Sequence, residues 1–231
     1  AVFMFKNDND SWSETQKILP SDISDNVYFG KTVYLENDYL VVSSEKDLSD
    51  CYTSNVYVFE RNNATDVWEE KLLIDSDISY NEPTYLYNQR SMQIYSNKLI
   101  IGSVGNNNVV KVYENIQGIW LKTQEIREST YDSTSMFGYN VSLYDRYLAI
   151  GSPGTGSVHF YRYSTQSSSD LISQDMDILD DLYQSYIDQI TDVDANFINQ
   201  IRSESFSKWE FNYTLTYNSY GNDKIYDNFG K

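Results

Sequence analysis

Short apolar runs separated by polar turns extend along most of the chain, and they come in four recurring kinds. The first kind alternates, with apolar residues at Val33 and Leu35, at Met92 and Ile94, and at Val141 and Leu143. Period-two alternation predicts a strand with one buried face. Each is followed by a short polar turn, Glu36-Asn37-Asp38, Tyr95-Ser96-Asn97 or Tyr144-Asp145-Arg146. Asn and Asp tolerate positive φ, so these turns predict hairpins. The second kind is continuously apolar, at Tyr39–Val42, Leu99–Ile101 and Tyr147–Ile150. Such runs suit strands buried on both faces. The third kind is Val2–Phe5, Val56–Phe59, Val109–Tyr113 and Val158–Tyr163. The fourth pairs a tryptophan with an apolar residue six positions on: Trp12/Ile18, Trp68/Ile74, Trp120/Ile126 and Trp209/Leu215. An even spacing predicts that both members share a face. A ligand-binding tryptophan is expected once, not in every repeat, so all four are assigned to the core.

The strands fall into an ordered phrase of about 50 residues, the period of a propeller-type array. It opens on Phe29-Gly30 and again on Phe137-Gly138, and the second copy ends its apolar strand on Gly151-Ser152-Pro153. A degenerate copy runs from Arg90 to Ser103, with Asn88-Gln89 where Phe-Gly is expected, and a fourth begins at Phe229-Gly230. The expected fold class is all-β, a β-propeller of four-stranded blades with about four blades represented in an incomplete ring. Residues 1–28 end one blade, 29–87 and 88–136 form two more, 137–228 form another, and 229–231 start the next. The pattern breaks mid-blade at both ends, and closed propellers have four to eight blades. Open edges invite association, so the segment is expected to be completed by further blades of a larger chain or by another chain.

Residues 166–206 interrupt the all-β pattern. Ile172, Met176, Leu179, Tyr183, Tyr186, Ile190, Val193 and Phe197 step by four and three, a heptad seam. Ser169-Asp170 is a candidate N-cap, and Thr191-Asp192-Val193-Asp194 a capping box that restarts the helix. Between Tyr163 and Ile201 there are eight Asp and no Lys, Arg, Gly or Pro. The segment reads as an inserted acidic amphipathic helix, or two. Its stripe either packs back on its own sheets or docks a protein partner, and the abundance of Asp, a poor helix former, also permits no helix at all.

The net charge of −17 argues against a nucleic-acid partner and against electrostatic attachment to an anionic membrane. Cys51 is the single cysteine, so no intrachain disulfide forms. No apolar run is long enough to span a membrane. No signal peptide is visible, and the chain opens inside a strand pattern, as a processed or cropped N-terminus would.

With these residues in order, the chain resembles the FG-GAP repeat of integrin-α-type β-propellers, and most closely the calcium-free variants of microbial and protist surface proteins. The resemblance rests on Phe137-Gly138 with Gly151 and Pro153, on Val56-Tyr57-Val58-Phe59, on the Trp strands, and on the recurrence of Leu19-Pro20-Ser21-Asp22 as Leu73-Ile74-Asp75-Ser76-Asp77. Integrin-like members carry an Asp-X-Asp-X-Asp-Gly loop between the first two strands. Here that loop has only two or three residues, too short to supply the six to eight oxygens calcium takes, so no metal or cofactor is expected. The Phe-Gly pair is expected to work by close backbone approach at Gly30 and Gly138, with Phe29 and Phe137 filling the wedge between blades.

Candidate chemistry is sparse. Asn9, Asn63, Asn140 and Asn212 head Asn-X-Ser/Thr sequons. Asn9, Asn63 and Asn212 are glycosylation candidates, and Asn140 is set aside because its strand should face a crowded axis. The single histidine, His159, lies inside a strand and offers no nucleophile or metal spacing. Cys51 falls in a long loop over 44–54. Asp22/Asp25 and Asp75/Asp77 recur with the repeat, which favours turn chemistry over a carboxylate pair for hydrolysis. The expectation is a non-catalytic structural or adhesion module of an extracellular or cell-surface protein. It would bind protein partners through its faces and inserted helix. The alternatives are a lectin-like propeller that binds glycans through Tyr-rich loops, or a subunit of a surface or flagellar filament.

Overall fold

A computed structural model describes residues 1–22, 28–48, 51–74, 91–104, 108–128, 132, 134–165, 207–216 and 224–226. The described residues build an all-β array of antiparallel sheets. Sheet I has two strands, β1 (Val2–Asp8) and β2 (Ser11–Ile18). Sheet II runs β3 (Thr32–Glu36), β4 (Tyr39–Ser43), β7 (Val56–Asn62), β8 (Val67–Ile74). Between β4 and β7 lies a ribbon, β5 (Lys46–Leu48) and β6 (Cys51–Thr53). The segment containing Cys51, expected to be loop, is therefore a small hairpin. Sheet III runs β9 (Ser91–Tyr95), β10 (Lys98–Ser103), β11 (Val109–Ile116), β12 (Ile119–Ile126). Sheet IV runs β13 (Asn140–Tyr144), β14 (Tyr147–Ser152), β15 (Ser157–Thr165), β16 (Ser207–Thr216), and gains a fifth strand, β17 (Lys224–Tyr226), on β16. The expected helix seam, Ile172, Met176, Leu179, Tyr183, Tyr186, Ile190, Val193 and Phe197, lies outside the described residues.

The hairpins form as the turn residues demand. Asn37, Ser96 and Asp145 each hold positive φ in the two-residue turn that joins the first two strands of a sheet. The second strands are the buried ones. Leu40, Val41 and Val42, and likewise Leu99, Ile100 and Ile101, are shielded on both faces.

The sheets stack face to face and share three apolar layers. Val2 and Ile18 of sheet I meet Leu40, Val42, Tyr57 and Phe59 of sheet II. The other face of sheet II, with Val41, Val56, Val58 and Ile74, meets Met92, Ile94, Leu99 and Trp120 of sheet III. The other face of sheet III, with Ile100, Val110, Val112 and Ile126, meets Phe137, Leu143, Leu148, Tyr161 and Trp209 of sheet IV. Each central strand therefore feeds both neighbours by alternation.

Two expectations are corrected. The Trp strand does not keep tryptophan and the residue six positions on together: Trp120 packs toward sheet II, whereas Ile126 packs toward sheet IV. A β-bulge is the reason. The register slips at Thr15, Lys71, Thr123 and Asn212, three residues after each tryptophan. One extra residue inverts the alternation beyond it. Second, Val33 and Leu35 were expected inside but are 46% and 55% exposed, while their counterparts Met92, Ile94 and Leu143 are buried. These positions face the preceding sheet, and among the described residues sheet I comprises only two strands, which leave Val33 and Leu35 uncovered.

Candidate functional site at the sheet faces

The side chains singled out by the repeat converge on the layers between sheets. Trp120 and Trp209 are each 2% exposed, Trp68 is half-buried, and Trp12 is 68% exposed. The gradient follows position, because every Trp strand turns its indole toward the preceding sheet, and among the described residues no sheet precedes sheet I. The assignment of Trp12 to the core is thus overturned. The buried indoles meet aromatic edges: Trp120 lies 5.5 Å from Tyr39, and Trp209 lies 5.2 Å from Tyr163. Neither buried indole nitrogen has a hydrogen-bond partner among the described residues, so packing and aromatic contact hold them. Lys98 adds a cation–π contact across the same layer, its Nζ 4.6 Å from the Tyr163 ring.

The Phe-Gly pairs sit where close approach was expected. Phe137 is fully buried between sheets III and IV, and Phe29 packs on the layer between sheets I and II, edge-on to Tyr57 at 5.1 Å. Gly30 and Gly138 hold φ of +92° and +89°. A Cβ on Gly138 would lie 3.2 Å from the Val109 carbonyl oxygen of the preceding sheet. Gly138 N–H donates to the Gly151 carbonyl at 3.2 Å, and Pro153 is exposed in the turn after β14.

Polar ties between sheets are what the sequence reading missed. Gln16 clamps the Trp68 backbone: its Nε2 donates to Trp68 O at 3.0 Å, and Trp68 N–H donates to its Oε1 at 2.8 Å. Gln124 holds Trp209 in the same way, at 3.1 and 2.8 Å. Both glutamines stand four residues after a tryptophan, a spacing visible in the sequence. Gln93 spans two layers, donating to Tyr34 Oη at 3.1 Å and accepting from Leu143 N–H at 2.6 Å.

Among the described residues, the segments that follow the Trp strands β2 and β12 each supply an acid to the next sheet. Asp22 accepts a hydrogen bond from Tyr57 Oη at 2.7 Å. Glu128 occupies the equivalent place under His159, with Oε1 3.0 Å from Nε2, and also accepts from Ser152 Oγ at 3.2 Å. Tyr57 and His159 are each the second residue of the third-strand apolar run, so Asp22 belongs to an acid–aromatic lock. Asp25, Asp75 and Asp77 lie outside the described residues. Burial pushes the His159 imidazole below its ordinary range, partly offset by the Glu128 carboxylate. Thr214 Oγ1 lies 2.9 Å from Nδ1. His159 thus joins two strands and a linker inside a packed layer, where Phe137 also covers it at 5.2 Å.

Burial pushes the Tyr57 and Tyr161 hydroxyls up to about 12 from 10.0, with nearby Asp22 and Glu128 adding to the shift. An acid whose folded pKa is raised contributes stability that is complete below its unfolded pKa. That stability is lost as pH rises toward the folded value. The loss from each ring should be about 2–3 kcal/mol between pH 10 and pH 12. Urea melts at stepped pH should show this decline, and Tyr57→Phe and Tyr161→Phe should each flatten it.

Among the described residues, no group of three or more His, Cys, Asp or Glu side chains is placed to hold a metal ion. No helix of the described residues is long and apolar enough to cross a membrane. The sequon residues Asn9, Asn63 and Asn212 are exposed, the first two in or beside third-to-fourth-strand turns and the last at the bulge of β16. Asn140 is exposed as well, so the crowding expected around it is not found.

The family model for the FG-GAP repeat matches residues 12–59. That span starts at the first tryptophan, crosses the linker with Asp22, and ends at Phe59 on the third strand of sheet II. It therefore covers the fourth strand of one sheet and the first three strands of the next, joined within the span by the Asp22–Tyr57 hydrogen bond. No curated protein matches the chain significantly. The chain carries an FG-GAP repeat at residues 12–59, within an all-β array of stacked antiparallel sheets.

Proposed function

We propose that this chain is a segment of β-propeller acting as a non-catalytic structural or adhesion module of an extracellular or cell-surface protein. It works by presenting sheet faces, turns and the inserted 166–206 segment to protein partners. One observation carries the reading. The repeat's distinctive residues, Trp120, Trp209, Phe137 and Gly138, are spent on contacts between sheets. The single histidine is likewise enclosed in such a layer. The repeat therefore builds a scaffold whose variable parts are its surfaces. FG-GAP repeats are typical of extracellular and cell-surface proteins, which supports the proposed location.

The test is biotinylation of intact cells that make the protein, with a reagent that does not cross membranes. Labelling without lysis is expected, and labelling only after lysis overturns the location. A glycan array probed with the purified protein is expected to stay blank, and specific sugar binding would replace the protein-partner reading.

A further inference from the structure

Two neighbouring asparagines meet at the end of β7, and they have different work. Asn62 builds the turn to β8. Its Oδ1 accepts from the backbone N–H groups of Ala64 and Thr65, at 3.0 and 3.3 Å, and its Nδ2 donates to Glu69 Oε1 at 3.0 Å. Its carbonyl oxygen accepts from Asp66 N–H at 2.8 Å. Both ends of its amide are therefore committed to the fold, in the manner of an Asx turn.

Asn63 is the first residue of the turn itself and is exposed. Among the described residues its amide makes a single contact, Nδ2 donating to Asp38 Oδ2 at 3.5 Å, the outer limit of a hydrogen bond. Asp38 does not depend on that contact, because Arg61 Nε donates to its other oxygen at 2.8 Å. Asp66, at the far end of the turn, is tied to Arg61 at 3.1 Å and to Lys6 of sheet I at 3.2 Å. The turn is thus anchored by groups other than Asn63.

Asn63-Ala64-Thr65 is also an acceptor sequence for N-glycosylation. Ala64 and Thr65 are exposed too, so the whole tripeptide stands at the surface, in a turn of a four-stranded sheet. Asn140 and Asn212 lie within strands instead, and the Thr214 hydroxyl of the second of these sequons is 2.9 Å from His159 Nδ1 in a packed layer.

We propose that Asn63 carries an N-linked oligosaccharide. The donor is an oligosaccharide on a lipid pyrophosphate. Asn63 Nδ2 bonds to the anomeric carbon, and the bond from that carbon to the pyrophosphate oxygen breaks. The lipid pyrophosphate leaves with the electron pair, and one amide proton is released. The modification removes no contact on which the turn depends. The proposal rests on the reading of the protein as extracellular or cell-surface, the setting in which such a sequon is modified.

Glycopeptide mass spectrometry on protein purified from its own cells tests it. The peptide spanning Asn63 should carry a sugar in most copies, and Asn63→Gln and Thr65→Val should each abolish it. A bare Asn63 in the wild-type protein overturns the proposal. Biotinylation of intact cells separates that failure from a failure of the location. A bare Asn63 on surface-labelled molecules overturns the glycan alone, whereas a sugar at Asn63 on molecules the reagent never reaches supports the glycan and overturns the location. The different work of the two asparagines is read on protein made without glycosylation. There Asn62→Ala should lower the melting temperature by about 2–4 °C, and Asn63→Gln should leave it unchanged. An equal fall for Asn63→Gln would show that its amide is committed to the fold, and would overturn the proposal.

Discussion

Trp209→Ala is expected to destabilise the fold by about 3–5 kcal/mol, and Trp120→Ala by a similar amount. Trp12→Ala should change stability by no more than about 0.5 kcal/mol. The three residues share one position in the repeat, so sequence alone gives them one value. The layers separate them. Trp120 and Trp209 are each closed in by a preceding sheet, and removing either indole leaves a void that close-packed side chains fill poorly. Trp12 is exposed, with no sheet of the described residues before it, and loses little on truncation. Urea denaturation reads the result directly, through midpoints that fall at an unchanged slope. Equal losses at all three positions would show that sheet I is covered in the isolated chain, against the exposure of its outer face. The Gln124 clamp survives the Trp209 change, because it grips the backbone of residue 209 and not the ring. The loss therefore reports the indole alone.

Gly102→Ala should cost about 3 kcal/mol, at the upper end of overpacking effects. A methyl group at Gly102 would lie 1.9 Å from the Gly138 carbonyl oxygen. That neighbour is backbone and cannot rotate away, so sheets III and IV must separate to admit it. Gly151 holds the same place in sheet IV, yet its nearest neighbour to an added Cβ is Asn140 at 3.7 Å. Gly151→Ala should therefore be tolerated within about 0.5 kcal/mol. Thermal melts of the two variants check the contrast, and a Gly102→Ala protein as stable as wild type would mean that the Phe-Gly turn does not hold the sheets in register. The sequence carries a trace of this coupling. Gly102 precedes a repeat that opens Phe137-Gly138, whereas Ser43, at the same place in sheet II, precedes one that reads Asn88-Gln89. A glycine is kept where the following repeat brings its own glycine turn against it.

Much of the strand order was legible because period-two alternation and turn chemistry are local properties. The turns at Asn37 and Asp145 needed only short-range sterics, and the double-sided burial of Val41 or Ile100 followed from unbroken apolar runs. The pairing of Trp120 with Ile126 failed because the bulge at Thr123 leaves no mark in composition. An extra residue shows itself only when the partner strand counts against it. Gln16 and Gln124 were overlooked because a polar residue in a strand reads as a solvent-facing one, and its true partner is the backbone of another repeat. The Asp22 motif was noticed as a recurrence, but its role needed Tyr57, on the third strand of the following sheet.

By itself the sequence determined the strands, their hairpins, the repeat, and the places where glycine and tryptophan recur, since each depends on side-chain periodicity and backbone preference over a few residues. Only the tertiary structure decided which of those equal positions are unequal. Burial depends on whether a neighbouring sheet is present, so Trp12 differs from Trp120, Val33 from Met92, and Gly102 from Gly151. The repeat writes the same interface at every turn of the phrase, and stacking determines which of them is filled.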